Sequence, residues 1–405
     1  MQIGSLIKYH RTKKELTQNQ LAMGICSIPH LSKIENNSKE ANSETIRLLL
    51  ERLDVDLQDV EESERTIKKL QKQLLIHINY VEGEKADETF KELESHKEII
   101  GFTDYIYLYE MYKLRYYLFK RDLEAAERQI KWLQAHRQNF SQHEQYLLSY
   151  FNAITLILRG KYGEADEKLS KLVQENARLN FFEGELYYHL ALVKGYMEQA
   201  GHAILYGKKA LSFFTEQFNY MRILHVQMAL AINYSQSKMY EEALENYEHL
   251  LRNTELLKQQ DLLPQVLHNI GDLKHHMGDF ASAMEMFKKS AALFPKNTEN
   301  YLLCLYNLAV TEYKLDRLND SKRDFTLLHE QACKMKVVTY QLYATFYLYL
   351  LADQQQKAMT FLENKVIPYT AKIDELKETH QTFSHILAEH YKREGKYEKA
   401  VQFIL

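Results

Sequence analysis

Apolar residues recur at helical spacing through almost the whole chain, and the first sixty residues already predict four short helices. Thr17, Ser27 and Ser43 stand where the N-caps of the second, third and fourth helices are expected, and Gly24 separates the second helix from the third. The apolar positions that predict a small shared core are Ile3, Leu6, Ile7, Leu21, Ala22, Leu31, Ile34, Ile46, Leu49, Leu50 and Leu53. The order of these elements is typical of a helix-turn-helix domain over residues 1–60.

From residue 61 onward the sequence repeats itself. The clearest copies are 160–165, 238–243, 278–283 and 395–400, and each ends in a small residue. Counting the weaker copies, the small residues are Ala86, Ala126, Ala165, Ala203, Ala243, Ala283, Ser321, Ala358 and Ala400, spaced 37 to 42 residues apart. This spacing resembles the tetratricopeptide pattern. We therefore predict an all-α chain: a helical linker over 61–75, then nine two-helix repeats over 76–405 that form a right-handed α-solenoid.

Composition and charge narrow the class of protein. Hydrophobic residues make up 45% and charged residues 26% of the 405 residues, with only 4 prolines, as long helices require. The net charge of the whole chain is −3, but its N-terminus is basic, because residues 1–34 carry five basic side chains and one acid. Three isolated cysteines predict neither disulfides nor zinc, and without a signal peptide or a membrane-length apolar run we expect a cytoplasmic protein.

The first sixty residues resemble the lambda-repressor-like (Xre-type) DNA-binding family. The resemblance lies in Leu-Thr-Gln-Asn-Gln-Leu-Ala at 16–22, a glycine, and His-Leu-Ser-Lys-Ile-Glu at 30–35, with Asn36-Asn37 in place of the usual following glycine. It implies that the third helix enters the DNA major groove and the start of the second faces phosphate. Base edges would then be contacted by Ser27, Ile28, Pro29, His30 and Lys33, and the backbone by Lys13, Lys14 and Gln18. The alternative is a degenerate domain retained for protein contacts.

The first helix of each repeat is expected to line the concave face of the array. The candidate peptide-binding residues at these positions are Arg115, Tyr188, Asn233, His268, Asn269, Asp272, Tyr306, Asn307 and Tyr343. Asn269 and Asn307 occupy the same repeat position, where their amides offer donors and an acceptor to a peptide backbone. Arg115 is suited to a peptide carboxylate or to a salt bridge with a nearby glutamate. The alternative for all of them is hydrogen bonding between neighbouring helices.

No catalytic or metal-binding motif is apparent. His268, His275 and His276 lie close together on one predicted helix, but no His-Glu-x-x-His motif or cysteine partner completes a ligand set. The sequence also lacks a phosphate-binding glycine loop and a nucleophile elbow. We therefore predict that the chain is not an enzyme and that it needs no cofactor or metal.

The combination of an Xre-type domain with repeats of about 40 residues resembles the RRNPP family of quorum-sensing regulators in Gram-positive bacteria. The resemblance covers the full chain, and nine units suit its longer, NprR-like members better than the shorter, PlcR-like ones. It implies a transcriptional regulator switched by a short signalling oligopeptide in the repeat groove, acting as a homodimer on a palindromic double-stranded DNA operator. The alternative is an array that sequesters a phosphorelay response regulator or another signalling protein, with or without DNA binding.

Overall fold

The computed structural model describes residues 3–38, 42–103, 105–176, 183–373 and 376–403, and every regular element in these ranges is a helix. The chain divides into two units, Met1–Ala229 and Leu230–Leu405, which are described separately below. Within the described ranges no helix has both the length and the apolar content that crossing a bilayer requires. The predicted all-α class is confirmed.

The first unit begins with the four predicted short helices, which we call the reader domain (residues 1–60). They are α1 Ile3–Lys13, α2 Gln18–Ala22, α3 Ile28–Glu35 and α4 Ser43–Arg52. Their buried apolar side chains form one cluster: Ile7, Leu21, Ala22, Leu31, Ile34, Leu49, Leu50 and Leu53. Thr17 and Ser27 cap α2 and α3 as predicted. Asn42 rather than Ser43 caps α4, because its carboxamide oxygen accepts the N–H of Thr45.

Close packing of α1 on α3 explains a glycine and an asparagine in the reader domain. A Cβ atom on Gly4 would lie 1.8 Å from the carbonyl oxygen of Ile34, so this position needs a residue without a side chain. Asn37 ends α3 with a φ of 52°, the left-handed conformation that asparagine tolerates. Its side-chain amide also donates to the Ser5 hydroxyl at 2.7 Å. Asn37 therefore replaces the usual glycine and links α3 back to α1.

A single helix joins the reader domain to the repeats. Helix α5, Leu57–Asn79, begins soon after α4 ends and packs along α6, Gly83–Ser95, which contains Ala86. The predicted linker and the first helix of the first repeat are therefore parts of one continuous helix.

The remaining helices form consecutive pairs, apart from two four-residue helices at Lys97–Ile100 and Ile367–Thr370. In the first unit they are α7 Lys97–Ile100, α8 Ile106–Phe119, α9 Leu123–Ala135, α10 Gln142–Leu158, α11 Tyr162–Asn176, α12 Glu183–Tyr196 and α13 Ala200–Glu216. The division between the units falls within α14, Tyr220–Gln236. The second unit continues with α15 Tyr240–Leu256, α16 Leu263–His276, α17 Phe280–Leu293, α18 Glu299–Lys314, α19 Leu318–Met335, α20 Val338–Leu351, α21 Gln355–Phe361, α22 Ile367–Thr370, α23 Lys377–Arg393 and α24 Tyr397–Val401. A 3₁₀ turn covers Arg137–Asn139 and a π-helical turn covers Leu362–Val366.

All nine predicted small residues lie in second helices and are at most 1% exposed, as close helix crossing requires. Five residues before each one, the chain adopts a left-handed conformation, and the residues concerned are Val81, Arg121, Gly160, Glu198, Lys238, Gly278, Asp316, Asp353 and Gly395. The following N–H donates to the carbonyl five residues back, as from Asp122 to Tyr117 at 2.9 Å. This Schellman bond ends every first helix. The turn therefore forms in all nine repeats although only three have glycine.

Candidate DNA-binding and peptide-binding sites

The predicted base-reading residues share one edge of α3. Ser27, Ile28, Pro29 and Lys33 are exposed and His30 is half-buried, while the Ser27 hydroxyl accepts the N–H of His30 at 3.3 Å. Within the described part of the chain no acidic side chain lies within ion-pair distance of Lys33. The start of α3 therefore presents a hydroxyl and an apolar patch to solvent, and its last turn presents the cation Lys33, which suits contact with thymine methyl groups and phosphate.

The two lysines predicted to face the DNA backbone are exposed but already paired. Lys13 Nζ lies 3.3 Å from Glu98 Oε2, and Lys14 Nζ contacts the Asp54 carboxylate. The Tyr9 hydroxyl donates to Glu98 at 2.6 Å, and this bond, followed by those from Lys13, lowers the pKa of Glu98. Because Glu98 follows α6, the first repeat supplies a carboxylate to the reader domain.

Gln18, the third predicted backbone contact, is engaged within the reader domain. Its amide donates to Glu35 Oε2 at 2.8 Å, and Arg11 Nε donates to Glu35 Oε1 at 2.6 Å. Glu35 is 2% exposed. Its carboxylate is tolerated inside because a guanidinium and an amide satisfy its oxygens. The burial of Glu35 could not be predicted from the sequence, because helical periodicity does not reveal a partner on another helix.

An ionic cluster lies along the first helices of the first unit. It consists of Arg115 on α8, Tyr150 on α10, Glu185 on α12 and Arg222 on α14, all buried. Arg222 Nη2 donates to Glu185 Oε2 at 2.8 Å, and Arg115 Nη2 lies 3.6 Å from the same oxygen. The predicted alternative for Arg115, a salt bridge to a glutamate, therefore occurs. One carboxylate faces two guanidinium groups, which leaves one positive charge in excess.

Aromatic and imidazole rings surround this cluster and carry no compensating charge. Arg222 Cζ lies 5.1 Å from the ring centre of Tyr188, and the Tyr150 hydroxyl is 2.9 Å from His189 Nδ1. Burial lowers the pKa of His189 and of His225 to about 4, so both rings are neutral at neutral pH. Burial raises the pKa of Glu185, but Arg222 and Arg115 outweigh it and hold that pKa below its usual value. The excess charge of the cluster is therefore cationic.

In the second unit the predicted residues form a polar group and an aromatic group. Asn307 Nδ2 lies 3.5 Å from His268 Nε2, and Asn269 is half-buried at the equivalent position one repeat earlier. Burial lowers the pKa of His268 to about 4, and burial raises the pKa of Asp272. Low-charge hydrogen-bonding groups of this kind suit a peptide backbone.

The aromatic group belongs to the core of the second unit. The ring centre of Tyr306 lies 5.3 Å from that of Tyr343, and Tyr343 lies 5.0 Å from Phe383. Tyr343 is 2% exposed, and Asn233 on α14 is also buried. Of the predicted peptide contacts, the structure thus brings Arg115 and Tyr188 together around Arg222 in the first unit. In the second unit it brings together His268 with Asn307 and Tyr306 with Tyr343.

The histidines of α16 have ordinary partners. His275 Nδ1 lies 2.9 Å from the Thr311 hydroxyl, and Lys314 Nζ lies 2.8 Å from His275 Nε2. His276 lies beside Asp272, with His276 Nδ1 2.8 Å from the Asp272 carbonyl oxygen. Among the residues that the structure describes, no three His, Cys, Asp or Glu side chains are grouped as a metal site would require.

Glu185, Tyr150 and Arg222 were missed by sequence reasoning. Glu185 and Arg222 are 37 residues apart, which is one repeat, so opposite charges at equivalent positions in adjacent repeats were the available signal. The sequence-based assignment considered Arg115 alone and left its glutamate unnamed. Pairing charges at repeat spacing would have found the stronger partner of Glu185.

Comparison with known proteins agrees with both parts of this fold. The helix-turn-helix family model matches residues 7–60, and the tetratricopeptide repeat family model matches residues 220–296. Transcriptional activator NprA of Geobacillus stearothermophilus is 24% identical over 95% of this chain and 97% of its own length. The fold is similar to that of the apo quorum sensor NprR from B. thuringiensis, with a TM-score of 0.75 and 23% identity over 84% of this chain and 97% of that one. NprR in complex with its cognate peptide NprX gives a TM-score of 0.64 at 23% identity, over 83% of this chain and 96% of that one.

Fold and comparisons together define the class: a transcriptional regulator built from a helix-turn-helix domain and tetratricopeptide repeats. The similarity to NprA along nearly the whole chain confirms the resemblance to the RRNPP family. NprA is a transcriptional activator and NprR a quorum sensor, which agrees with the prediction of a regulator rather than an enzyme.

Proposed function

We propose that this chain is a sequence-specific DNA-binding regulator whose activity is switched by a short signalling peptide. The observation that carries the DNA-binding part is the exposed edge of α3, where Lys33 has no acidic neighbour among the described residues. Ser27, Ile28, Pro29 and His30 supply the rest of the reading edge. Lys13 and Lys14 contact phosphate once they exchange their carboxylate partners for DNA.

Each unit offers its own candidate peptide site on its first helices. In the first unit, the excess positive charge of the ionic cluster attracts a peptide carboxylate, because a second anion would balance Arg115 and Arg222. In the second unit, Asn269 and Asn307 hydrogen-bond the peptide backbone. NprR, which shares this fold, has been solved with its cognate peptide NprX.

The regulator acts as a homodimer on a palindromic operator, as the family resemblance implies, because a two-fold protein matches two half-sites. Peptide binding controls DNA binding by favouring one arrangement of the repeats over another. The size of this effect is set by the difference in peptide affinity between the arrangements.

Fluorescence anisotropy with labelled duplexes from the region upstream of the gene tests this function. The full chain is titrated alone and with synthetic peptides from any short neighbouring reading frame. We expect one duplex to be retained with submicromolar Kd, peptide to shift that Kd, and the pair Lys33→Ala with His30→Ala to abolish sequence preference. Lys72→Ala, which removes an exposed lysine from α5, is the matched control. Retention of a receiver-domain protein but of no duplex would instead support the response-regulator alternative.

A further inference from the structure

Two hydrogen bonds join the first repeat to the turn that precedes the fifth. The Tyr80 hydroxyl donates to the carbonyl oxygen of Gln217 at 3.1 Å, and Asn219 Nδ2 donates to the carbonyl oxygen of Asn79 at 3.0 Å. Asn79 and Tyr80 end α5, whereas residues 217–219 connect α13 to α14. The partners are about 140 residues apart in sequence, and both lie in the first unit.

These contacts depart from the usual rule for repeat arrays, in which each repeat contacts only its neighbours. The second and third repeats lie between the two partners in sequence and contribute nothing to either bond. Asn219 is only 2% exposed, so its amide has no access to water as an alternative partner. The carbonyl of Asn79 is one of the last in α5, a position where helices need an external donor. The buried amide of Asn219 therefore gains an acceptor, and the carbonyl of Asn79 gains a donor.

Asn219 also connects this contact to the ionic cluster. Its side-chain oxygen accepts the N–H of Arg222 at 3.2 Å, as an N-cap does at the start of α14. The Arg222 side chain then binds Glu185, whose carboxylate also faces Arg115. The same asparagine thus holds the backbone of the cluster residue Arg222 with one atom and the end of α5 with another.

Helix α5 continues without interruption from Leu57, at the end of the reader domain, to Asn79. We propose that Asn79, Tyr80, Gln217 and Asn219 form a latch that transmits changes at the Arg222–Glu185 pair directly to α5, bypassing the second and third repeats. The regulatory meaning of the latch rests on the proposed function, since it links the proposed peptide site to the proposed DNA reader. The mechanical link itself requires neither ligand.

Hydrogen exchange of the full chain tests the latch. Asn219→Ser keeps an N-cap oxygen for Arg222 but is too short to reach Asn79, and Tyr80→Phe removes only the hydroxyl. We expect each variant to speed amide exchange over residues 76–82 about fivefold, the effect of losing one hydrogen bond, while residues 106–158 are unchanged. Matched controls are Asn42→Ser, which caps α4, and Tyr196→Phe, an exposed tyrosine on α12. Acceleration of 106–158 as large as that of 76–82 would overturn the latch, as would no acceleration of 76–82.

Transmission is tested by Arg222→Lys, which keeps the charge but loses the two-pronged bond to Glu185. In the wild-type background this change should speed exchange over residues 76–82, and in the Asn219→Ser background it should add nothing there. An equal effect in both backgrounds would show that the signal travels by another route. Neither arm uses DNA or peptide. Absence of duplex binding in the anisotropy assay would therefore refute the proposed function. The latch would still be tested separately by hydrogen exchange.

Discussion

The inner faces of the two units use the same helix positions for different chemistry. In the first unit Arg115, Glu185 and Arg222 are charged, buried and bound to one another. In the second unit the equivalent helices carry His268 and Asn307, whose contact is neutral and partly open. A buried charge requires its partner, whereas a half-buried amide is satisfied by water. In the first unit the residues of the candidate site therefore also stabilise the fold. In the second unit the candidate site residues contribute less to stability.

The largest effect should come from breaking the ionic cluster. Glu185→Ala leaves two buried guanidinium groups without an anion, and we expect it to lower the free energy of unfolding by about 3–5 kcal/mol. Asn307→Ala, the matched change in the second unit, should cost no more than about 1.5 kcal/mol. Urea unfolding followed by circular dichroism measures both. Equal losses in the two variants would remove the contrast between the units.

Low pH should destabilise the second unit by protonating His268. Its pKa of about 4 in the folded chain lies below the ordinary value of 6.5, so the neutral ring contributes stability that is fully present above pH 6.5 and is lost as the pH falls through 4. The shift corresponds to about 3 kcal/mol. Urea unfolding at pH 7 and pH 4 should show a smaller difference for His268→Gln than for the wild type. An unchanged pH dependence would mean that His268 is already accessible to protons in the folded state.

Peptide binding should be sensitive to the amides of the second unit. Asn269→Ala and Asn307→Ala are each expected to weaken peptide affinity about fivefold, because each removes one hydrogen bond to the backbone. Asn246→Ala is the control, since that half-buried asparagine lies on a second helix and bonds within it. Isothermal titration calorimetry, with the peptide found in the anisotropy screen, measures the three affinities. Equal affinity in all three would remove these asparagines from the site.

The smallest effect is expected at the exposed contact between Glu98 and the reader domain. Glu98→Gln frees Lys13 and should strengthen binding to an arbitrary 30-base-pair duplex about two- to fivefold, with a steeper salt dependence by about one phosphate contact. Glu92→Gln removes a charge from an exposed position on α6 and should have less effect. If Glu98→Gln strengthens duplex binding equally in the Lys13→Met background, the Glu98 carboxylate acts by repelling DNA and not by pairing with Lys13.

The sequence predicted what depends on local chemistry. Thr17 and Ser27 cap their helices, and the nine small residues are buried, because capping and close helix crossing restrict residue type at fixed spacing. Glycine alone would have found only three of the nine first-helix ends. The backbone bond that closes these turns also forms with Val81 or Arg121 in the left-handed conformation, so it leaves little trace in the sequence.

Contacts between repeats were harder to predict. The burial of Glu35 and Glu185, and the pairing of Lys13 with Glu98, depend on how helices rotate against one another, which periodicity does not specify. Asn219 is a stronger case, because its partner is 140 residues away and a nearest-neighbour array predicts no such contact. Individual site residues could be proposed from their positions on a helix. Their partners on other helices could be identified only from the structure.

In the proposed mechanism, peptide binding in the repeats controls DNA binding by the reader domain. The most direct measurement is the anisotropy of an upstream duplex titrated with the full chain, at one fixed salt concentration, with and without the peptide. We expect saturating peptide to change the Kd at least fivefold. We also expect Asn219→Ser with Tyr80→Phe to reduce this change while both ligands still bind. A duplex Kd that is the same with and without bound peptide would contradict it.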